Sequence, residues 1–321
     1  MKQVSNRGVG CCLPAAAILL TLCAMVGVTG QTPQDEESDR IRRLWNLQFR
    51  TARARKSASA SDKTKTPAEA GKDAGKAETP PDAAVEGELL GITIWRMRSA
   101  TLEDRQDRNR LLLQQTSDQH NSFLPERVGA ETRFKEGSMV RLGFEVPRQT
   151  RSYLYVFDHE VYDDGTTGDA YQIFPSQTTP PAGNLVEPGQ LIFVPAQGDP
   201  IPWFTLRKVQ GHRTLAREML TIIVSPEPLP ANLVVPVHLS ADLVLPRLNQ
   251  PMKELEKAYG GPAEKRDASS GAGNPWTVAE KESGEGKRLL LQQDPLPHTI
   301  YRVRVNPGSP FLVQLPLWLA Q

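Results

Sequence analysis

Five carboxylates crowd one short stretch of the chain: Asp158, Glu160, Asp163, Asp164 and Asp169. Calcium needs about six to eight converging oxygens, and a cluster of this kind could supply several of them. The spacing is not that of an EF-hand loop, however, and Asp164-Gly165 between aromatic runs is a hairpin-turn signal in its own right. The turn is the stronger reading. In the same stretch, His159-Glu160-Val161-Tyr162-Asp163 resembles the zinc-protease pattern H-E-x-x-H, with Asp163 in place of the second His. That pattern needs a helix to bring residues four apart onto one face, whereas this segment reads as a strand entering a turn.

The other chemistries have weaker support. His120, His159, His212, His238 and His298 are scattered with no spacing that singles out a base, and they read as loop or surface residues. Ser269-Ser270 stands in a Gly-rich loop without a supporting shell. There is no G-x-S-x-G elbow, no Walker phosphate loop and no G-x-G-x-x-G after a strand. No catalytic, cofactor-binding or metal-ligating residue is assigned, and no cofactor is expected. A triad assembled only in space stays open as an alternative. Among the aromatics, Tyr153, Tyr155 and Phe157 alternate onto one sheet face. That face is core if covered and a stacking platform for sugars or peptides if bare; core is favoured. Trp203-Phe204, after Pro200-Ile201-Pro202, is placed at a rim.

The elements that must carry these residues are strands. Short apolar or alternating runs recur at 89–97, 140–146, 153–157, 171–174, 191–194, 220–224, 299–305 and 311–319, separated by Gly, Pro, Asn and Asp. The expectation is an all-β fold, an antiparallel, immunoglobulin-like β-sandwich with one or two short helices. Val140, Leu142, Phe144 and Val146 should face inward, with Arg141, Gly143 and Glu145 on a wet face. Residues 101–115 read as a helix or a long insertion, 251–259 as a short helix stopped by Gly260-Gly261, and 262–273 as a flexible loop. The string Arg-Leu-Leu-Leu-Gln-Gln occurs at 110–115 and again at 288–293, with Trp95 and Trp276 upstream. Coincidence in a Leu-rich chain is preferred over a decayed duplication.

The N-terminus reads as an address. Lys2 and Arg7 precede an uncharged apolar run from 11 to 28, and Val28-Thr29-Gly30 offers a cleavage site before Gln31. Residues 1–30 are therefore read as a secretory signal peptide; left uncut, the run would serve as a membrane anchor. A lipoprotein signal built on Cys23 is disfavoured by the bulky Leu20-Thr21-Leu22 before it. Cys11, Cys12 and Cys23 all fall in this segment, so a cleaved chain would have neither disulfides nor thiol chemistry. Of 38 basic and 37 acidic residues, the leader removes only Lys2 and Arg7, and the remaining 36 basic groups nearly cancel the acids. A balanced chain lacks the field that steers proteins to nucleic acid.

Residues 31–56 hold an acidic patch and then a basic amphipathic helix, with Ile41, Leu44, Trp45 and Phe49 on one side and arginines elsewhere. It could touch an anionic membrane surface or a partner groove; docking on the main domain is the plainer reading. Residues 57–87 are so poor in large apolar side chains that a disordered linker is expected. The β domain then fills 88–321.

Within that domain Tyr153-Leu154-Tyr155-Val156-Phe157, Phe174-Pro175, the run 184–189 with Val194-Pro195, and 220–225 resemble the DUF4384 family of bacterial exported and signalling-associated proteins. The resemblance covers about 136–228 and leaves a C-terminal extension, 229–321, outside it. It implies a β domain and carries no catalytic set. The functional expectation is a non-catalytic envelope module, periplasmic or extracellular, that contacts a protein or an envelope polymer. An exported hydrolase with a spatially assembled site and a calcium or small-ligand binder are the alternatives.

Overall fold

The computed structural model describes residues 87–320 except 117–118, 149, 197–198, 200, 208, 211–212, 239–243, 268–270 and 292. The leader, the 31–56 segment, the linker up to 86, Ser269-Ser270, His212 and the side chain of His120 lie outside the described residues.

Alternation along the first strand, β1 (Glu88–Ser99), decides the architecture. Leu90, Ile92 and Ile94 point to one side and Leu89, Trp95 and Met97 to the other, and none is more than 4% exposed. A strand apolar on both faces has to lie between two covering layers. In chain order it is followed by β2 (Leu112–Thr116), β3 (Gln119–Val128), β4 (Arg133–Phe134), β5 (Met139–Glu145) and β6 (Ser152–Tyr162). Next come β7 (Tyr171–Phe174), β8 (Leu185–Val186), β9 (Leu191–Val194), β10 (Phe204–Thr205), β11 (Val209–Gln210) and β12 (Arg213–Ser225). The chain continues with β13 (Val234–His238), β14 (Val244–Leu248), helix α1 (Met252–Tyr259), β15 (Ala263–Asp267), helix α2 (Val278–Gly284), β16 (Thr299–Val303) and β17 (Phe311–Leu319).

These strands form two sheets stacked as a sandwich. The first runs β10-β5-β1-β16-β15, with β3 against the second half of β1, β2 beyond β3, and β9 beside β10 along β5. The second runs β13-β14-β7-β6-β12-β17-β4, with β8 on β6 and β11 on β12. Every pairing is antiparallel except β17 with β4. The central core lies between the sheets, where Ile92, Leu142 and Phe144 meet Val156, Ile222 and Leu315.

Each sheet also has a second covered face. Over the first, Trp95, Phe193, Trp276 and Leu290 form an outer aromatic layer held down by α2. Over the second, Tyr155, Phe157 and Ile223 are roofed by Leu255 of α1 and by Leu233 and Leu248. The wet face foreseen for β5 is therefore absent: Arg141 is 1% exposed and Glu145 3% exposed. Over Arg141 lie Phe193 and Trp276, both from later in the chain.

Two local expectations change as well. Residues 101–115 form two short 3-10 turns, Asp104–Gln106 and Arg108–Arg110, and then enter β2 instead of forming a helix. The loop foreseen at 262–273 contains β15, which pairs with all five residues of β16. The two copies of the Leu-rich string differ in structure, the first entering β2 and the second belonging to no strand or helix among the described residues. By contrast α1 stands where a helix was expected. Phe174-Pro175 and Val194-Pro195 are both cis, which the sequence reading did not address.

Ile222, fully buried at the centre of the sandwich, reports on this arrangement. Ile222→Ala is expected to cost about 2–5 kcal/mol, read as a lower urea midpoint. A loss below about 1 kcal/mol would mean the two sheets do not close over it.

Candidate functional site

The acidic stretch divides according to strand alternation. Asp158 and Glu160 follow Leu154 and Val156 on the face of β6 that looks into the sandwich, while His159 joins Tyr155 and Phe157 on the outer face. Asp163 and Asp164 lie beyond the strand in an exposed turn, where Gly165 takes a positive φ of 80° and Asp164 Oδ1 accepts from the Thr166 amide at 2.8 Å. This is the hairpin turn that Asp164-Gly165 announces. Asp169 stands outside it and pairs with Arg247 at 3.1 Å. Among the described residues no three His, Cys, Asp or Glu side chains are placed to hold a metal ion.

A carboxylate that sequence reading overlooked completes the inner cluster. Glu218 of β12 pairs directly across from Glu160, diagonal to Asp158. Burial first, and then the neighbouring negative charges, raise both Asp158 and Glu218 above the usual carboxylate range. Asp158 Oδ1 and Glu218 Oε2 have no hydrogen-bond partner, whereas Glu160 accepts from the Tyr162 hydroxyl. The signal was present in the alternation Glu218, Leu220, Ile222, Val224, which puts a carboxylate on the inward register of an apolar strand.

The histidines depart from expectation too. His159 is 8% exposed and His298 2% exposed, each with Nδ1 unpartnered, and burial lowers the pKa of both. Only His238, in β13, is open to water among the three described side chains. His159 lies on β6, His238 at the end of β13, and His298 just before β16. Tyr155 and Phe157 are core, as favoured, with Tyr153 partly buried against them. Trp203 is not at a rim: it is 5% exposed, with its ring 4.8 Å from that of Phe123.

The most unusual polar group lies in the outer aromatic layer. Arg127, Arg141, Arg148 and Arg302 are the buried arginines among the described residues. Arg127 pairs with Glu280, Arg148 with Glu88 at 3.0 Å, and Arg302 with Glu264 at 3.9 Å. Arg141 makes no ion pair among the described residues, and its Nε and Nη2 are shielded from water without a described hydrogen-bond acceptor. Its guanidinium carbon stands 4.2 Å from the centre of the Phe193 ring and 5.7 Å from that of Trp276. The ring faces return part of the lost hydration. Burial still pulls the group down to about 10, against the attraction of Glu285 and Asp199, so it remains a cation at neutral pH.

Two close approaches build this layer. A Cβ on Gly143 would come within 2.4 Å of the Trp95 ring, and one on Gly284 within 1.8 Å of Phe193. The capping box of Thr277 and Glu280 starts α2, and Glu280 in turn receives Arg127 from β3, which fixes the helix over the rings. Trp276 Nε1 donates to the Arg110 carbonyl at 2.5 Å.

Comparison with known proteins gives no match: no family model fits the chain, and neither a curated protein nor a solved structure is similar to it. Among the described residues no helix is long and apolar enough to cross a membrane.

Two outcomes follow. The native state holds protons on Asp158 and Glu218 that the unfolded chain has already released. Stability should therefore fall as pH climbs from the ordinary carboxylate range through the raised values. Glu218→Gln should narrow the gap between urea midpoints measured at about pH 5 and about pH 8 by raising the latter; an unchanged gap contradicts the burial of this acid. Gly284→Ala should destabilise by about 1–3 kcal/mol, since ring and helix cannot both stay in place. A neutral result in thermal melts would show that α2 is free to lift away.

Proposed function

We propose that this chain is an exported, non-catalytic module of the cell envelope that docks against another protein along the free edge of β2. The observation that carries the reading is the unpaired flank of β2 with an apolar side chain standing on it: Leu113 is 68% exposed. It pairs with Ser122 and projects from the sheet face opposite Leu112 and Phe123, which are buried in the outer aromatic layer.

Along its length β2 has β3 on one flank and no described strand on the other. An unpaired edge offers backbone donors and acceptors to an incoming strand. The leader-like start and the spacer composition of 57–87 supply the location and the reach, and the basic helix at 31–56 would add contact with an anionic membrane surface. Assignment of 136–228 to the DUF4384 family belongs to the same proposal, and it adds nothing catalytic.

The test places a photo-cross-linking residue at Leu113 in the full chain, with a second preparation labelled at the exposed His238 as control, and exposes both to an envelope fraction. A discrete protein adduct from position 113 alone is the expected result. Equal labelling from both positions, or hydrolytic turnover abolished by a point change, would overturn the reading in favour of the hydrolase alternative.

A further inference from the structure

The unpartnered atoms of Arg141 are not a random pair. Nε and Nη2 lie on one edge of the guanidinium and direct parallel N–H bonds outward, which is the fork that grips the two oxygens of a carboxylate or a phosphate. Among the described residues Arg127, Arg148 and Arg302 each have a carboxylate within ion-pair distance and Arg141 does not, Glu285 and Asp199 acting on it only from farther away. A buried charge left without a partner is costly, and native chains avoid it unless something else supplies the counter-charge.

The strand register leaves one backbone flank of Arg141 unpaired. On one flank Arg141 pairs with Trp95 of β1. On the other, β10 reaches only as far as Phe204 opposite Val140, and β9 begins with Val194 opposite Leu142. Arg141 is the residue between them, with no described cross-strand neighbour on that side, and its side chain leaves the strand on the outer face, against Phe193 and Trp276.

We propose that Arg141 is a binding site for a single carboxylate, held edge-on by Nε and Nη2 and walled by Phe193 and Trp276. A planar group coplanar with the guanidinium suits flat aromatic walls better than a tetrahedral one. Charge favours the same choice: Glu285 and Asp199 act on Arg141, and a doubly charged phosphate would be repelled by both in a poorly hydrated layer. The site is independent of the β2 edge, and neither reading needs the other. The carboxylate comes either from a small free acid or from the end of a longer chain.

The test uses the full chain with acetate, N-acetyl-dialanine, the amide of that dipeptide, phosphate and chloride at matched ionic strength. Acetate or the free dipeptide should raise the melting temperature saturably, on the order of 5 °C at a hundredfold excess over Kd. Chloride and the amide should not. Acetate acting alone assigns a small acid, and the dipeptide acting as well assigns a chain end; either supports the site. Arg141→Lys, which keeps the charge and loses the fork, should abolish the shift. Because variants at a buried position can fail to fold, the Arg141 Nε–H resonance of the unaltered protein is followed in parallel and should move on titration with acetate. A shift with phosphate but not acetate overturns the carboxylate assignment. An unmoved resonance, or an acetate shift that survives in Arg141→Lys, overturns the site.

Discussion

The structure depends on one constraint: the β1–β5 ladder is buried on both of its faces. The inward register of these strands closes the sandwich against β6, β12 and β17, and the outward register needs a second cover. That cover is not local. Trp276, α2 and Leu290 come from far along the chain, and they can settle only because Gly143 and Gly284 leave space for two rings. Arg141 is trapped as a consequence: its place on β5 puts a cation under an aromatic roof.

Burial of polar groups elsewhere obeys a consistent rule. Arg127 reaches Glu280 and the Leu296 carbonyl, which ties β3 to α2. Arg148 reaches Glu88 and the Ser309 carbonyl, which ties the chain after β5 to the start of β1 and to the approach of β17. Each of these charges joins segments distant in sequence, so desolvation is offset by ion pairing and hydrogen bonding at a seam. Arg141 and the Asp158–Glu218 pair depart from the rule in opposite ways. The carboxyls relieve the strain of burial by taking up protons; a guanidinium cannot do so near neutral pH.

Much of the fold was legible because period-two alternation survives in the central strands. The runs at 140–146, 171–174, 191–194 and 311–319 coincide with strands to within a residue or so. The strands that escaped are those whose stability comes from a neighbour. β2 and β3 pass through a Gln-, Asn- and His-rich stretch without alternation, and β15, Ala-Glu-Lys-Arg-Asp, has no large apolar residue and depends on β16. β13 and β14 each contain a proline, Pro236 and Pro246, set opposite one another at the margin of the second sheet. Prolines argue against a central strand and are tolerated at an edge. The site was less legible than the fold. Nothing near Arg141 in sequence says that its face is roofed, and the reading of Trp203 as a rim residue failed because Phe123, its partner, lies in an unrecognised strand.

The position of β17 has a consequence for how the molecule comes into being. This strand, the last of those described, is inserted between β12 and β4, and β16 just before it completes the flank of β1. A chain emerging from a ribosome N-terminus first would thus carry two incomplete sheets until β17 emerged. Long-range pairing of this kind makes for slow closure. The stretch from β1 to β16 would stay pliable until then and acquire its rigid shape in one concerted step.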